Sequence, residues 1–229
     1  MTDARSEKKK SRGGGAGKSL KEQYQWQLWF IIAMNSVFLY GVVKSNVISK
    51  DGVVSAIKDF KGLVPIGLAL VIATVLNGLI SPDMKARLVF LRWNHALPGH
   101  RAFTMYAGRD PRIDLSALKT KFGDPLPVDP IEQNQVWYRI YRTMENDPAV
   151  RQEHRDFLLT RDYTWLSVIF FVLYGITGMY EIPSMKIGLI YLGILALQYI
   201  VVRQAASNYG IRMVTTVLAR FGPKEGPVR

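Results

Sequence analysis

The chain contains no cysteine, which removes disulfides, thiolate nucleophiles, cysteine-ligated zinc, iron–sulfur clusters and S-palmitoylation from its chemistry. Histidine is nearly as scarce, with three in 229 residues, and 18 Asp+Glu face 30 Lys+Arg. A formal charge of +12 and a pI near 9.9 would suit a nucleic-acid binder or a protein on an anionic surface. With 48% hydrophobic residues, however, the chain is not a disordered polyelectrolyte. It has no Gly-x-Ser-x-Gly, no His-Glu-x-x-His, no dinucleotide fingerprint and no kinase motif set, so nucleophilic and nucleotide chemistry lack positive support. Asp110, Asp114, Asp124, Asp129 and Glu132 read as turn and cap residues. The expectation is a protein that is not an enzyme.

Charge is also missing locally. Four windows hold no Asp, Glu, Lys, Arg or His: Trp26–Val43, Gly62–Ser81, Thr164–Tyr180 and Ile187–Val202. A helix of 18 residues covers about 27 Å, close to the roughly 30 Å hydrocarbon core of a bilayer. Aromatic residues stand where an interfacial belt would place them: Tyr24, Trp26 and Trp29 at the first window, Trp93 beyond the second, Tyr163 and Trp165 at the third. Four such stretches are hard to enclose in a soluble core. The sequence therefore predicts an all-α membrane protein with four transmembrane helices arranged as two hairpins. The mean hydropathy of +0.05 averages those spans with a polar remainder.

Positive loops resist translocation, so orientation follows from the placement of Lys and Arg. Arg5, Lys8, Lys9, Lys10, Arg12, Lys18 and Lys21 precede the first span, 13 Lys+Arg lie in 82–162, and Arg203, Arg212, Arg220, Lys224 and Arg229 follow the fourth. Lys44, Lys50, Lys58, Lys61 and Lys186 fall on the other side. Both termini are thus expected in the cytoplasm of a bacterial-type inner membrane, with 44–61 and 181–186 outside. The basic excess then marks topology and contact with anionic lipid headgroups. Because 82–162 balances its 13 basic residues with 11 acidic ones, nucleic acid is not expected as a direct ligand. The first apolar run is longer than a signal-peptide core and ends in Gly41-Val42-Val43-Lys44 without a small-residue cleavage site, so it reads as an uncleaved anchor.

Residues 1–22 have too few apolar side chains to pack and are expected to be disordered. Within them Gly13 to Ser19 resembles a P-loop, but Arg12 stands where a glycine is needed and no strand leads in. In 44–61, Val53, Val54, Ile57 and Phe60 recur at helical spacing, as in a short amphipathic helix on the outer leaflet. Residues 82–162 should form a mainly helical cytoplasmic domain between the hairpins. Ser81-Pro82-Asp83 opens a helix to about Trp93, with Met84, Leu88 and Leu91 on one face and Lys85, Arg87 and Arg92 turned to headgroups. Phe103, Met105 and Ala107 alternate as a short strand would. Asp114 opens a two-turn helix with Leu115, Leu118 and Phe122 inward. Asp129-Pro130-Ile131-Glu132 and Asp147-Pro148 open two more, the last running toward the third span. In 203–229, a basic amphipathic cytoplasmic tail, Ile211, Val214, Leu218 and Phe221 form a stripe that Gly222-Pro223 ends.

Few residues carry chemistry. His95 and His100, with His154, are the candidate metal ligands; their spacing matches no zinc pattern and Arg92 and Arg101 would repel a cation, so no metal and no other cofactor is expected. Trp137, Tyr138 and Tyr141, interleaved with Arg139 and Arg142, could hold an anionic ligand or a cytosolic protein; the competing reading is a domain core with arginines outside. Within the spans, Asn35, Asn77, Thr177 and Gln198 are polar but not ionisable, which disfavours ion-coupled transport. They suit packing within a bundle or homo-oligomer, or the lining of a pore. The favoured expectation is a membrane anchor or sensor whose internal domain binds a cytosolic partner or anionic signal. Two alternatives use the same residues: an oligomeric pore-forming effector of a stress or antiviral response, and a membrane-associated enzyme with a site near His95 and His100.

Overall fold

The computed structural model describes residues 19–45, 48–50, 52, 55 and 64–221. The tail through Lys18 and the expected helix at Val53, Val54, Ile57 and Phe60 lie outside the described residues. Among the described residues all regular structure is helical, in the order α1 (Leu20–Val43), α2 (Val64–Leu79), α3 (Pro82–Phe90), α4 (Leu115–Phe122), α5 (Pro130–Met144), α6 (Pro148–Ile169), α7 (Gly175–Glu181) and α8 (Met185–Phe221). A π-helical turn, Phe170–Tyr174, joins α6 to α7 without a break, and irregular helical turns fill Pro98–Arg109. Among the described residues three helices are long and apolar enough to cross a membrane: α1 from Glu22, the α6–α7 rod Pro148–Glu181, and α8. The second apolar window forms α2, of 16 residues.

Helix starts follow the cap chemistry. Ser81, Asp114, Asp129 and Asp147 each accept a backbone N–H from the first turn, and Pro82, Pro130 and Pro148 occupy first-turn positions where no N–H is missed. At the N-terminus a reciprocal cap extends α1 outward. Ser19 Oγ accepts from Glu22 N at 3.3 Å and Glu22 Oε2 accepts from Ser19 N at 2.7 Å, so residues 20–22 are helical where disorder is expected from composition.

Two cores stack end to end. One, in the apolar half, gathers Tyr24, Leu28 and Ile32 of α1 with Leu166, Ile169, Phe170 and Tyr174 of the rod and Tyr191 and Leu195 of α8. The other, in the polar half, gathers Phe103, Tyr106, Leu118, Val136, Trp137 and Ile140 with Val150 and Phe157 of α6 and Met213, Val214, Val217 and Leu218 of α8. Both cores therefore rest on the same two rods, which pack antiparallel along their length. In lipid, apolar side chains gain nothing by leaving hydrocarbon, so close approach has to come from small residues. Gly178 lets the Tyr191 ring in, since a Cβ there would stand 3.0 Å from it, and Ser36 Oγ bonds Tyr174 Oη at 2.6 Å.

Four local expectations are corrected. The stripe Ile211, Val214, Leu218 and Phe221 packs into or against the polar-half core as part of α8 and is no separate tail. Helix α3 stops at Phe90, because Leu91 turns left-handed with φ 49°. The helix does not turn Lys85 toward headgroups. It buries Lys85, Ala86 and Val89 against the bundle and leaves Met84 and Leu91 exposed. The alternating Phe103, Met105 and Ala107 form helical turns, because the buried Gln133 accepts the N–H groups of Phe103 and Thr104 at 3.1 and 3.2 Å while donating to Val128 O at 2.7 Å. In α4, Leu118 is buried and Phe122 half-buried, but Leu115 faces outward.

Candidate functional site

Where the apolar and polar halves meet, four helices place ionisable and polar groups together out of water. Lys85 of α3 and Asp162 of α6 form an ion pair at 3.1 Å with side chains only 7% and 3% exposed. Lys85 Nζ also donates to Asn77 Oδ1 at 2.7 Å and to the Asn77 carbonyl at 2.9 Å, which ties the end of α2 to α3. Asp162 accepts from Arg161 at 3.0 Å and from Tyr24 Oη of α1 at 3.2 Å. The carboxylate is thus held by a lysine, an arginine and a phenol from three helices. Every one of these bonds compensates part of the several kcal/mol each ion loses on leaving water, and the set fixes the register of α1, α2, α3 and α6 at one level.

Sequence patterning had little chance of revealing this cluster. Lys85 reads as a headgroup-facing base and Asp162 as the last polar residue before a span. The available signal is position: Asp162 stands two residues before the third uncharged window and Tyr24 two before the first.

The aromatic and arginine set of α5 separates onto two faces. Trp137 is buried and stacks on Tyr141 at 5.7 Å between ring centroids. Tyr141 Oη meets His154 Nδ1 at 2.9 Å. Tyr138, 51% exposed, together with Arg139 and Arg142, lies on the outer face, where Arg142 pairs with Glu145 at 2.9 Å. The core thus takes Trp137 and Tyr141, and the surface keeps Tyr138, Arg139 and Arg142.

His95 and His100 do come together, with rings 4.9 Å apart, whereas His154 belongs to the Tyr141 contact on another helix. His100 Nδ1 donates to the Pro130 carbonyl at 2.8 Å, which leaves Nε2 as its acceptor. Burial, with His95 and Arg101 nearby, holds the imidazole below its ordinary pKa. Asp83, Arg87, Trp93 and these histidines line a cleft of about 240 Å³. Among the described residues no group of three or more His, Asp or Glu side chains is placed to share a metal ion.

The polar residues of the spans do not converge. Asn35 Nδ2 donates to the Ile31 carbonyl at 2.9 Å and Thr177 Oγ1 to the Leu173 carbonyl at 2.9 Å, each within its own helix. Gln198 Nε2 donates to Tyr163 Oη at 2.8 Å across the α6–α8 contact, and Asn77 is committed to Lys85.

A second cleft, also about 240 Å³, opens between the start of α1 and the start of α6. It is lined by Leu20 and Gln23 on one side and Asn146, Pro148, Arg151, Gln152 and Arg155 on the other. Arg151 and Arg155 share a face at i, i+4 spacing. Arg155 bonds Asp156 at 3.1 Å, and Gln152 bonds the other oxygen of that carboxylate at 2.8 Å. No family, no curated protein and no solved structure matches the chain.

Proposed function

We propose that the chain is a four-span protein of a bacterial-type inner membrane with both termini in the cytoplasm, in which a cytosolic helical domain receives a partner or anionic signal and passes it to the transmembrane bundle. The observation that carries this reading is the continuity of the two rods. The α6–α7 rod and α8 each contribute to both cores, so displacement at one end is transmitted along rigid helix and not lost in a linker. The 16 residues of α2 cover about 24 Å, enough to span with slight thinning of the bilayer. The Lys85–Asp162 cluster sits at the level where such a displacement would have to pass.

The exposed face of Tyr138, Arg139 and Arg142 is the surface on which a cytosolic protein would dock, and the anchor works as a homo-oligomer. The test is gentle detergent purification from the native host followed by mass determination of the intact assembly. A co-purifying cytosolic protein should be lost in a Tyr138→Ser/Arg139→Gln/Arg142→Gln variant that keeps its melting temperature. Full recovery of that protein by the variant overturns the surface assignment, and a wild-type assembly containing only single copies of this chain overturns the reading as a whole.

A further inference from the structure

The geometry points to the cleft between α1 and α6 as a binding site for a soluble phosphate-bearing small molecule, held by Arg151 and Arg155. The inference rests on reading the cytosolic half as the part that receives a signal, and it places the anionic form of that signal away from the α5 surface. Among the residues that line the cleft there is no carboxylate, while two guanidinium groups stand on one helix face with Gln23, Asn146 and Gln152 around them. Asp156 is the acid bonded to this set, and it takes up Arg155 and Gln152. Arg151 lines the cleft, is exposed and makes no ion pair among the described residues, so its guanidinium donors are open to a ligand. A guanidinium fork is the side-chain group that reads phosphate oxygens. The cleft volume of about 240 Å³ is below the range of drug-sized pockets, about 300–1,000 Å³, and so admits a phosphate or pyrophosphate group and not a larger ligand enclosed whole.

Depth separates a soluble source from a lipid one. The polar region of a bilayer extends about 5–7 Å beyond the hydrocarbon on each side. Arg155 and Arg151 precede Thr164 by nine and thirteen residues, about 14 and 20 Å along the helix, and Leu20 precedes Trp26 by six, about 9 Å. Even with a helix tilt of about 20° the backbone positions of both arginines stay below the level of lipid phosphates, while Gln23, three residues before Trp26, marks the end of the cleft nearest the headgroups. A ligand here would also bridge the first span to the α6–α7 rod, since Leu20 and Gln23 belong to α1 and the arginines to α6. Binding at this point can therefore bias the spacing of two helices that continue into the membrane.

Inorganic pyrophosphate serves as the probe, titrated by calorimetry against the full chain in nanodiscs of phosphatidylcholine alone and of phosphatidylcholine with phosphatidic acid. The expected result is saturable binding in both lipid compositions. Arg151→Gln/Arg155→Gln should weaken it at least tenfold with no change in melting temperature, and Arg139→Gln/Arg142→Gln should leave it unchanged. Absence of saturable binding in phosphatidylcholine by folded protein overturns the site. Competition by phosphatidic acid that abolishes the pyrophosphate signal overturns the soluble source and assigns the arginines to headgroups. Loss of binding in Arg139→Gln/Arg142→Gln alone overturns this cleft while upholding an anionic signal at the α5 surface.

Discussion

Lys85 and Asp162 show why a buried ion pair is a lopsided element of stability. Formed, it roughly balances the desolvation of two charges; broken, it leaves one charge uncompensated, at a cost of about 3–5 kcal/mol. Lys85→Met or Asp162→Asn alone should therefore lower stability by about 3–5 kcal/mol, whereas Lys85→Met/Asp162→Leu should recover much of the loss, limited by what Tyr24 and Arg161 forfeit. Thermal unfolding in detergent reads this directly, and single variants that melt with the wild type would show that the pair does not hold the helices. His100 gives a pH dependence of defined sign. Its folded pKa lies below its unfolded value of 6.5, so the folded state binds fewer protons as the pH falls through 6.5. The associated stability is fully present above 6.5 and declines below it. His154, lowered by burial and by Arg161, adds to the same slope. NMR titration should place the His100 midpoint below 6.5, and His100→Asn should shallow the decline in melting temperature between pH 7.5 and 5.5. A midpoint at or above 6.5 would mean that the Pro130 contact outweighs burial.

At the scale of the element, what was legible in the sequence divides by mechanism. Cap-and-proline signatures at Ser81, Asp129 and Asp147 are local, and each opens a helix at the expected residue. The Ser19–Glu22 cap is equally local, but it is easily passed over inside a basic, glycine-rich run. Gln133 is different in kind. Nothing near it in sequence shows that its amide will serve Phe103 and Thr104, thirty residues away in the chain, and so the alternation at 103–107 reads as a strand. The amphipathic stripe of 211–221 is legible as a stripe, but a stripe does not say whether lipid or protein covers it; here Val214 and Leu218 meet protein. The cost of those contacts can be measured at Gly210, where a Cβ would stand 2.7 Å from the Phe90 ring and 3.0 Å from that of Phe157. Gly210→Val should destabilise by about 1–3 kcal/mol through overpacking, which exceeds any helix-propensity gain. Gly41→Ala in α1, with open space around it, should be neutral or stabilising. Equal melting of the two variants would mean that α8 is not fixed against α3 and α6 as described.

For the whole molecule the decisive quantity is the number of crossings, because it sets which side the polar half faces. Among the described residues three helices meet the length and composition for a span, and α2 falls short of them by length, at 16 residues with no charged side chain. If α2 crosses, the segment 82–162 shares a side with the basic tail and the rods descend into the cytosol. If it does not, that segment is external, and the cation-rich segment has been moved across the bilayer against the usual bias. The two arrangements predict opposite chemistry at a single position. Since the chain has no cysteine, any introduced thiol is unique. With four spans, a membrane-impermeant maleimide on intact spheroplasts should label Ser55→Cys and Ser184→Cys at once and Ser116→Cys only after permeabilisation. With three spans Ser55→Cys still labels, but Ser116→Cys labels in intact spheroplasts and Ser184→Cys needs permeabilisation. Ser116 lies on the exposed surface of α4 and Ser184 in the turn before α8, so either thiol is reachable by reagent on its own side. The prediction is the four-span pattern, because a 16-residue helix inserts with slight thinning of the bilayer and keeps the basic residues that flank the spans, Lys85, Arg87 and Arg92 on one side and Arg151, Arg155 and Arg161 on the other, on the side of the basic tail.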